Sequence, residues 1–262
     1  MKDIRGAVAI VTGSASGVGA ATARLLASQG CHVVVNYSRS EEAARTVAAE
    51  CEALGVETLL CQADVADDAA CRDMVAQALD KWGRVDILVN NAGTTKFCEH
   101  HRLDGLDAED FQTIYGVNVI GPYQMIRAVA PSMQAAGQGT VVNVASTAAI
   151  TGIGSSVAYA ASKGALVTLS LSLARALGPQ IRINTVCPGF IQGEWLRKGL
   201  GDEQYAAAKA HNERQAPLGV TADPETVADA ILCFITGPQI VTGETLIVDG
   251  GRHLNTVPLA RR

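Results

Sequence analysis

Aromatic residues are scarce in this chain: Phe, Trp and Tyr supply 4% of it, although apolar residues reach 48%. A core with so few rings must be packed from Ala, Val, Leu and Ile, and the 26 glycines imply many tight turns and close backbone approaches. Positive charge is not in excess either. A net charge of −5 excludes the basic surface of a nucleic-acid binder and a polybasic membrane patch. The seven cysteines, at 31, 51, 61, 71, 98, 187 and 233, contain no C-x-x-C pair and are odd in number, which argues against a disulfide framework and a structural zinc site. They suit a reducing, cytoplasmic compartment. The N-terminus lacks the signal-peptide pattern, and the long uncharged span between Arg127 and Lys163 is broken by Gly, Ser, Thr, Asn, Gln and Pro, so no membrane span is expected. There is no internal repeat, low-complexity tract or linker, and residues 1–262 read as one domain.

What is present is alternation. Short β-rich runs at 7–12, 32–36, 57–62, 86–90, 140–145, 181–186 and 245–250 are separated by Ala-rich helical patterns. The helices fall at about 17–29, 41–54, 67–82, 107–136, 156–177 and 223–236, with a further one at 202–212. Gly30 and Gly55 stand where helices end, and Ser40 and Asp107 where helices begin. Continuous apolar strands joined by helices predict an α/β fold, a doubly wound, Rossmann-like parallel sheet of about seven strands covered on both faces. Two segments interrupt the rhythm, 94–106 and the stretch from Pro188 to about Asp223; both follow strand carboxyl ends, where open α/β sheets bind ligands. The tails at 1–4 and 252–262 read as surface features, the latter also able to reach a neighbouring subunit.

The loop "TGSASGVG" (12–19) follows the first strand and opens the first helix. Gly13 suits the turn, and Gly17 and Gly19 suit close approach of backbone to a pyrophosphate and of helix to strand, with the helix N-terminus facing the phosphates. Gly13, Ser14, Ser16, Gly17, Val18 and Gly19 are the expected contacts. At the end of the second strand, NAD sites carry an acid for the ribose hydroxyls; here stands Asn36, followed by Tyr37, Ser38 and Arg39. Asn36 removes an anionic repulsion and Arg39 suits a 2′-phosphate, so NADP(H) is favoured over NAD(H), the alternative being a solvated Arg39 ahead of a helix.

A second motif, "YAASK" (159–163), places a phenol and an ammonium four residues apart, on one face of a helix. A lysine held beside a tyrosine favours the ionised phenol and predicts a lowered pKa for Tyr159. The same spacing recurs in "YAAAK" (205–209), so spacing alone does not choose between Tyr159 and Tyr205.

Together, the Gly-x-x-x-Gly-x-Gly loop, "NNAG" (90–93), "YAASK" and "PG" (188–189), in this order, resemble the short-chain dehydrogenase/reductase family over nearly the whole chain, from about residue 5 to "VDGG" (248–251). The resemblance implies a catalytic set of Asn118, Ser146, Tyr159 and Lys163, which assigns the chemistry to Tyr159 rather than Tyr205. It implies that Asp64 and Val65 meet the adenine, that Asn90, Asn91, Ala92 and Gly93 line the adenosine ribose, and that Pro188, Gly189 and Ile191 contact the nicotinamide half. Lys163 would hold the nicotinamide ribose, and Asn118 a water relaying protons from Lys163; the alternative, compatible with that role, is an asparagine satisfying backbone groups within a helix. The segment 190–212 would cover the substrate. Trp195 and Phe190 would contact it or pack the covering helix.

Gly193 replaces a threonine usual in the family, and Ser16 stands where many NADP-dependent members have Arg. Cys187 reads as a packed residue, and "CEHH" (98–101) as a solvated or substrate-edge loop, outside zinc spacings, so no metal is expected. The implied activity is reduction of a ketone or 3-oxoacyl thioester, with an NAD-dependent sugar or alcohol dehydrogenase as alternative. An epimerase of the extended branch lacks its spacing and longer substrate domain here, and a non-catalytic regulator would be expected to lose Tyr159 or Lys163. Family members are commonly homotetramers. The implied partners are therefore a small carbonyl or alcohol substrate and further copies of the chain.

Overall fold

The computed structural model describes residues 2–255; the expected tail contact at 256–262 lies outside these described residues. Seven strands form the sheet: β1 (Val8–Val11), β2 (His32–Tyr37), β3 (Thr58–Gln62), β4 (Ile87–Asn90), β5 (Gly139–Val144), β6 (Ile181–Pro188) and β7 (Thr245–Val248). Their order is β3-β2-β1-β4-β5-β6-β7, with every pairing parallel. The strand order reverses between β1 and β4, and at such a switch point a crevice opens beyond the carboxyl ends.

Ten α-helices lie among the described residues: α1 (Gly17–Ser28), α2 (Glu41–Glu52), α3 (Asp68–Trp82), α4 (Ala108–Tyr115), α5 (Gly121–Ala135), α6 (Ala148–Thr151), α7 (Val157–Leu177), α8 (Glu194–Leu200), α9 (Asp202–Gln215) and α10 (Pro224–Thr236). Apolar residues of α1, α2 and α10 pack on one face of the sheet, and those of α3, α5 and α7 on the other. Because both faces are covered, the inner strands are apolar without alternation: Val8, Ala9, Ile10 and Val11 are all fully buried. Helix α7 is long and apolar enough to cross a membrane, but Ala158, Leu166 and Ala174 are buried in the protein.

Helix starts follow local chemistry. Asp67 accepts from the amides of Ala69 and Ala70, Asp223 from Thr226, and Asp107 forms a reciprocal capping box with Asp110. Ser40 precedes α2 without a side-chain cap. Gly30 (φ 81°) and Gly55 (φ 86°) take the left-handed conformation just beyond α1 and α2.

The expected helix at 107–136 is not uniform. Residues Gly116–Ile120 wind as a π-turn between α4 and α5, and this widened turn carries Asn118. The short helices α6 and α8 were not expected, and α9 runs to Gln215 rather than 212. Nor are the described parts of the tails simple surface features: Ile4 is 2% exposed in the core, and Arg252–Leu254 form a 3-10 turn whose Arg252 and His253 are only partly exposed.

Candidate active site

A cleft of about 1340 Å³ runs along the carboxyl ends of the strands. Its floor at one end is the glycine loop. Gly13 (φ 63°) turns the chain there, and a Cβ on it would lie 3.0 Å from Ala92 Cα. Gly17 (φ 54°) opens α1 with free space where a side chain would be, whereas a Cβ on Gly19 would lie 2.5 Å from Gly13 O and from Asn91 Nδ2. Ser16 precedes α1 without capping it, so Ser16, Gly17 and Val18 present a bare helix start to the cleft. That cradle fits a dinucleotide pyrophosphate.

Several expected contacts turn their side chains into the protein, although Asn36 and Asn91 also line the cleft. Ser14 is fully buried; its hydroxyl donates to Val11 O and accepts from Asn36 N. Asn36 is 2% exposed, its Oδ1 accepts from Gly13 N, and its Nδ2 donates to Cys61 O and Ala63 O. The amide therefore clamps the glycine loop to β2 and β3. Tyr37 is buried, and Asn90 donates to Asn143 Oδ1 inside the sheet. Asn91 braces the loop from β4 by donating to Thr12 O and Gly13 O.

Ser38, Arg39, Asp64 and Val65 line the far end of the cleft, followed by Asn91, Ala92 and Gly93. Arg39 is exposed, and its guanidinium has no hydrogen-bond or ion-pair partner among the described residues. Val65 is held in place from α5: Gln124 donates to its carbonyl, and Gly121 leaves no room for a Cβ, which would sit 2.8 Å from Val65 Cγ2.

Ser146 follows β5, while Tyr159 and Lys163 lie one turn apart at the start of α7, and all three line the cleft with Pro188, Gly189 and Ile191. Ser156 caps α7 by accepting from Tyr159 N, which fixes the tyrosine in the first helical turn, where unpaired N–H groups favour negative charge. Lys163 is 4% exposed, and its ammonium donates to Val144 O at 2.8 Å. Asn118 is fully buried; its Oδ1 accepts from Thr94 N, and its Nδ2 donates to Thr94 O and Ser162 Oγ. Asn118 Oδ1 and Lys163 Nζ lie 3.5 and 3.6 Å from the point where a Cβ on Gly93 would be.

The electrostatics correct one expectation. The Tyr159 phenol is not lowered, and the Lys163 ammonium is directed to Val144 O. Burial instead pushes the phenol up to about 12, the Ser146 hydroxyl pulling it back and Cys187 adding to the rise. Burial also brings the Lys163 ammonium down to about 8, against a smaller upward pull from Cys187. Cys187 is itself fully buried, its thiol pushed up to about 11 by burial, against the Ser146 backbone and Lys163.

The other Tyr–Lys pair has different surroundings. Tyr205 is 7% exposed, its hydroxyl accepts from Gly193 N, and Lys209 pairs with Glu213. It fastens α9 to the segment before α8. Gly193, in the threonine position, has φ 149°, a conformation that L side chains rarely adopt.

At the other end, Trp195 of α8 lies 6.3 Å from the Tyr159 ring and 5.8 Å from Phe97, centroid to centroid. Phe190 packs on Tyr205 at 5.5 Å and also lines the cleft. The 94–106 loop docks here through Cys98 N on Ser155 O and His100 Nε2 on Gly154 O. Phe97 and Arg252 also line the cleft, although nothing local in the sequence singles them out.

Fold and site together define a dinucleotide-dependent oxidoreductase. Residues 13–253 match the family model described as "Enoyl-(Acyl carrier protein) reductase". Over 248 residues the chain is 41% identical to "Granaticin polyketide synthase putative ketoacyl reductase 2" of Streptomyces violaceoruber, covering 94% of this chain and 96% of that one. It is 35% identical to "L-rhamnose 1-dehydrogenase (NAD(P)(+))" of a Sphingomonas species, over 97% of this chain and 99% of that one. A solved structure, "a putative short-chain dehydrogenase/reductase from Burkholderia xenovorans", superposes with a TM-score of 0.88 at 38% identity, covering 95% of this chain and 98% of that one. The chain belongs to the short-chain dehydrogenase/reductase family, whose members use NAD(P)(H).

Proposed function

We propose that the protein is an NADP(H)-preferring reductase that converts a ketone or 3-oxoacyl thioester to the alcohol. The observation that carries this reading is the gathering of Ser146, Tyr159 and Lys163 beside the glycine cradle in one cleft. When bound, the dinucleotide supplies the hydride. Tyr159 donates a proton to the substrate oxygen, and its elevated pKa keeps it protonated throughout the neutral range. The Ser146 hydroxyl stabilises the charge developing on that oxygen. Lys163 holds the nicotinamide ribose, and the remaining lone pair of Asn118 Oδ1 serves a relay water near Lys163.

Arg39 supports the NADP(H) preference, because Asn36 is engaged on both sides and leaves the unpartnered guanidinium to meet a 2′-phosphate. Residues 190–212 cover the substrate, with Trp195 and Phe190 as its apolar contacts. A second reading, oxidation of a sugar or alcohol, is favoured by the polar lining residues Gln192, Gln204 and Asn212 and by the rhamnose dehydrogenase relative. The chain works as one domain, in the cytoplasm, as a homotetramer that needs neither a membrane nor nucleic acid.

The test is oxidation of NADPH and NADH by the purified protein against 3-oxoacyl thioesters, small ketones and sugars, with the reverse reaction on sugars and alcohols. Faster turnover with NADPH and a ketone or thioester is expected. Preferential oxidation of a sugar with NAD would replace this reading by the second.

A further inference from the structure

Arg252 belongs to the 3-10 turn that follows β7, a segment with no sequence motif. The turn is seated against the end of α9: a Cβ on Gly251 would lie 3.2 Å from Pro217 Cγ, and Asn255 donates to Gln215 O. From there the side chain lines the same cleft as Phe190, Ala208 and Asn212. Its Nε is buried without a hydrogen-bond partner, and no ion pair engages its guanidinium among the described residues.

Asp249 at the base of the turn and two acids of the covering helices are already engaged. Asp249 accepts from the amides of Gly251 and His253 and pairs with His253 Nδ1 at 2.9 Å. Glu213 of α9 pairs with Lys209 at 2.7 Å, and Glu194 of α8 faces Arg197 at 3.6 Å. A partly buried cation without a counter-charge is unfavourable unless a ligand brings one. A planar guanidinium fork matches the paired oxygens of a carboxylate or phosphate.

We propose that Arg252 receives an anionic group, a carboxylate or phosphate ester, carried by the substrate away from its reacting carbon. This rests on the reductase reading for the identity of the reacting group, but its test does not require turnover. Calorimetric titration of the NADP-loaded protein uses two matched pairs: 4-oxopentanoate with its methyl ester, and dihydroxyacetone phosphate with dihydroxyacetone. The wild type is compared with Arg252→Gln and Arg252→Lys.

The expected result is that one charged compound binds the wild type more tightly than its neutral twin. It should lose about tenfold or more of its affinity in Arg252→Gln and recover part in Arg252→Lys. The pair affected separates carboxylate from phosphate. Equal affinity of charged and neutral twins, equal affinity of the charged compound in wild type and Arg252→Gln, or no binding of either charged compound to the wild type overturns the proposal. Unchanged NADPH affinity and melting temperature in Arg252→Gln exclude a folding defect; if that variant is destabilised, the comparison of wild type with Arg252→Lys decides, equal affinities for the two twins in both proteins counting against the proposal. Failure of the reductase reading shows separately, as absence of turnover with every carbonyl.

Discussion

Replacing Lys163 by Met should make the protein more stable and inactive at the same time. The lysine is 4% exposed, and burial lowers its ammonium from 10.5 to about 8, a shift that corresponds to about 3 kcal/mol at neutral pH. Methionine fills a similar volume without a charge. It leaves Val144 O without its donor, a loss of about 1 kcal/mol, so a net gain of about 2 kcal/mol is expected. In a chain of this size that raises Tm by about 4–8 °C at pH 7. Between about pH 8 and 10.5 the unfolded chain binds the lysine proton and the folded one does not, so wild-type stability rises with pH across that window. The variant lacks this slope, and its advantage should close as the pH rises through the window. Paired urea or thermal melts at pH 7, 8, 9 and 10 test this. A variant less stable than wild type at pH 7, or an advantage that does not depend on pH, would refute the assignment of Lys163 as a desolvated functional group. Turnover should fall at least ~100-fold, as expected for loss of a group in the proton-transfer machinery.

Asn36→Asp, the obvious change for attracting NAD, should instead destabilise the protein by about 3 kcal/mol, because a carboxylate would face the carbonyls of Cys61 and Ala63; urea melts would show it, and a stable NADH-preferring variant would contradict it. Arg39→Ala should weaken NADPH binding about tenfold and leave NADH within about twofold, as read by fluorescence titration; equal losses would make Arg39 a solvated surface residue. Gly19→Ala forces a Cβ to 2.5 Å from Gly13 O, so dinucleotide affinity should fall and stability drop by about 1–3 kcal/mol, whereas a neutral outcome would show that the loop yields.

The seven strands were legible because buried parallel strands leave continuous apolar runs between glycines and helix starts, as in "AVAIVT" and "HVVVN". Helices α6 and α8 were not, because four and seven residues are too few to show a helical period. The π-turn at Gly116–Ile120 changes hydrogen bonding without interrupting the apolar pattern, so the sequence reads through it. At the site, the motifs named residues but not which way they face. Ser14, Asn36 and Asn90 belong to the expected dinucleotide motifs, yet their side chains hold the sheet and loop together. The Tyr159 expectation failed because helical spacing brings Lys163 near the ring, while burial, which is tertiary, sets the sign of the shift. Arg252 enters the cleft only through long-range packing of the last turn against α9, which no local pattern announces.

The central claim is that Tyr159 transfers the proton in a dinucleotide-dependent carbonyl reduction. The most direct measurement compares wild type and Tyr159→Phe for NADPH affinity by fluorescence titration and for turnover of a 3-oxoacyl thioester or other accepted carbonyl. NADPH affinity should stay within about threefold while kcat falls by at least ~100-fold. Turnover surviving in Tyr159→Phe would contradict the account.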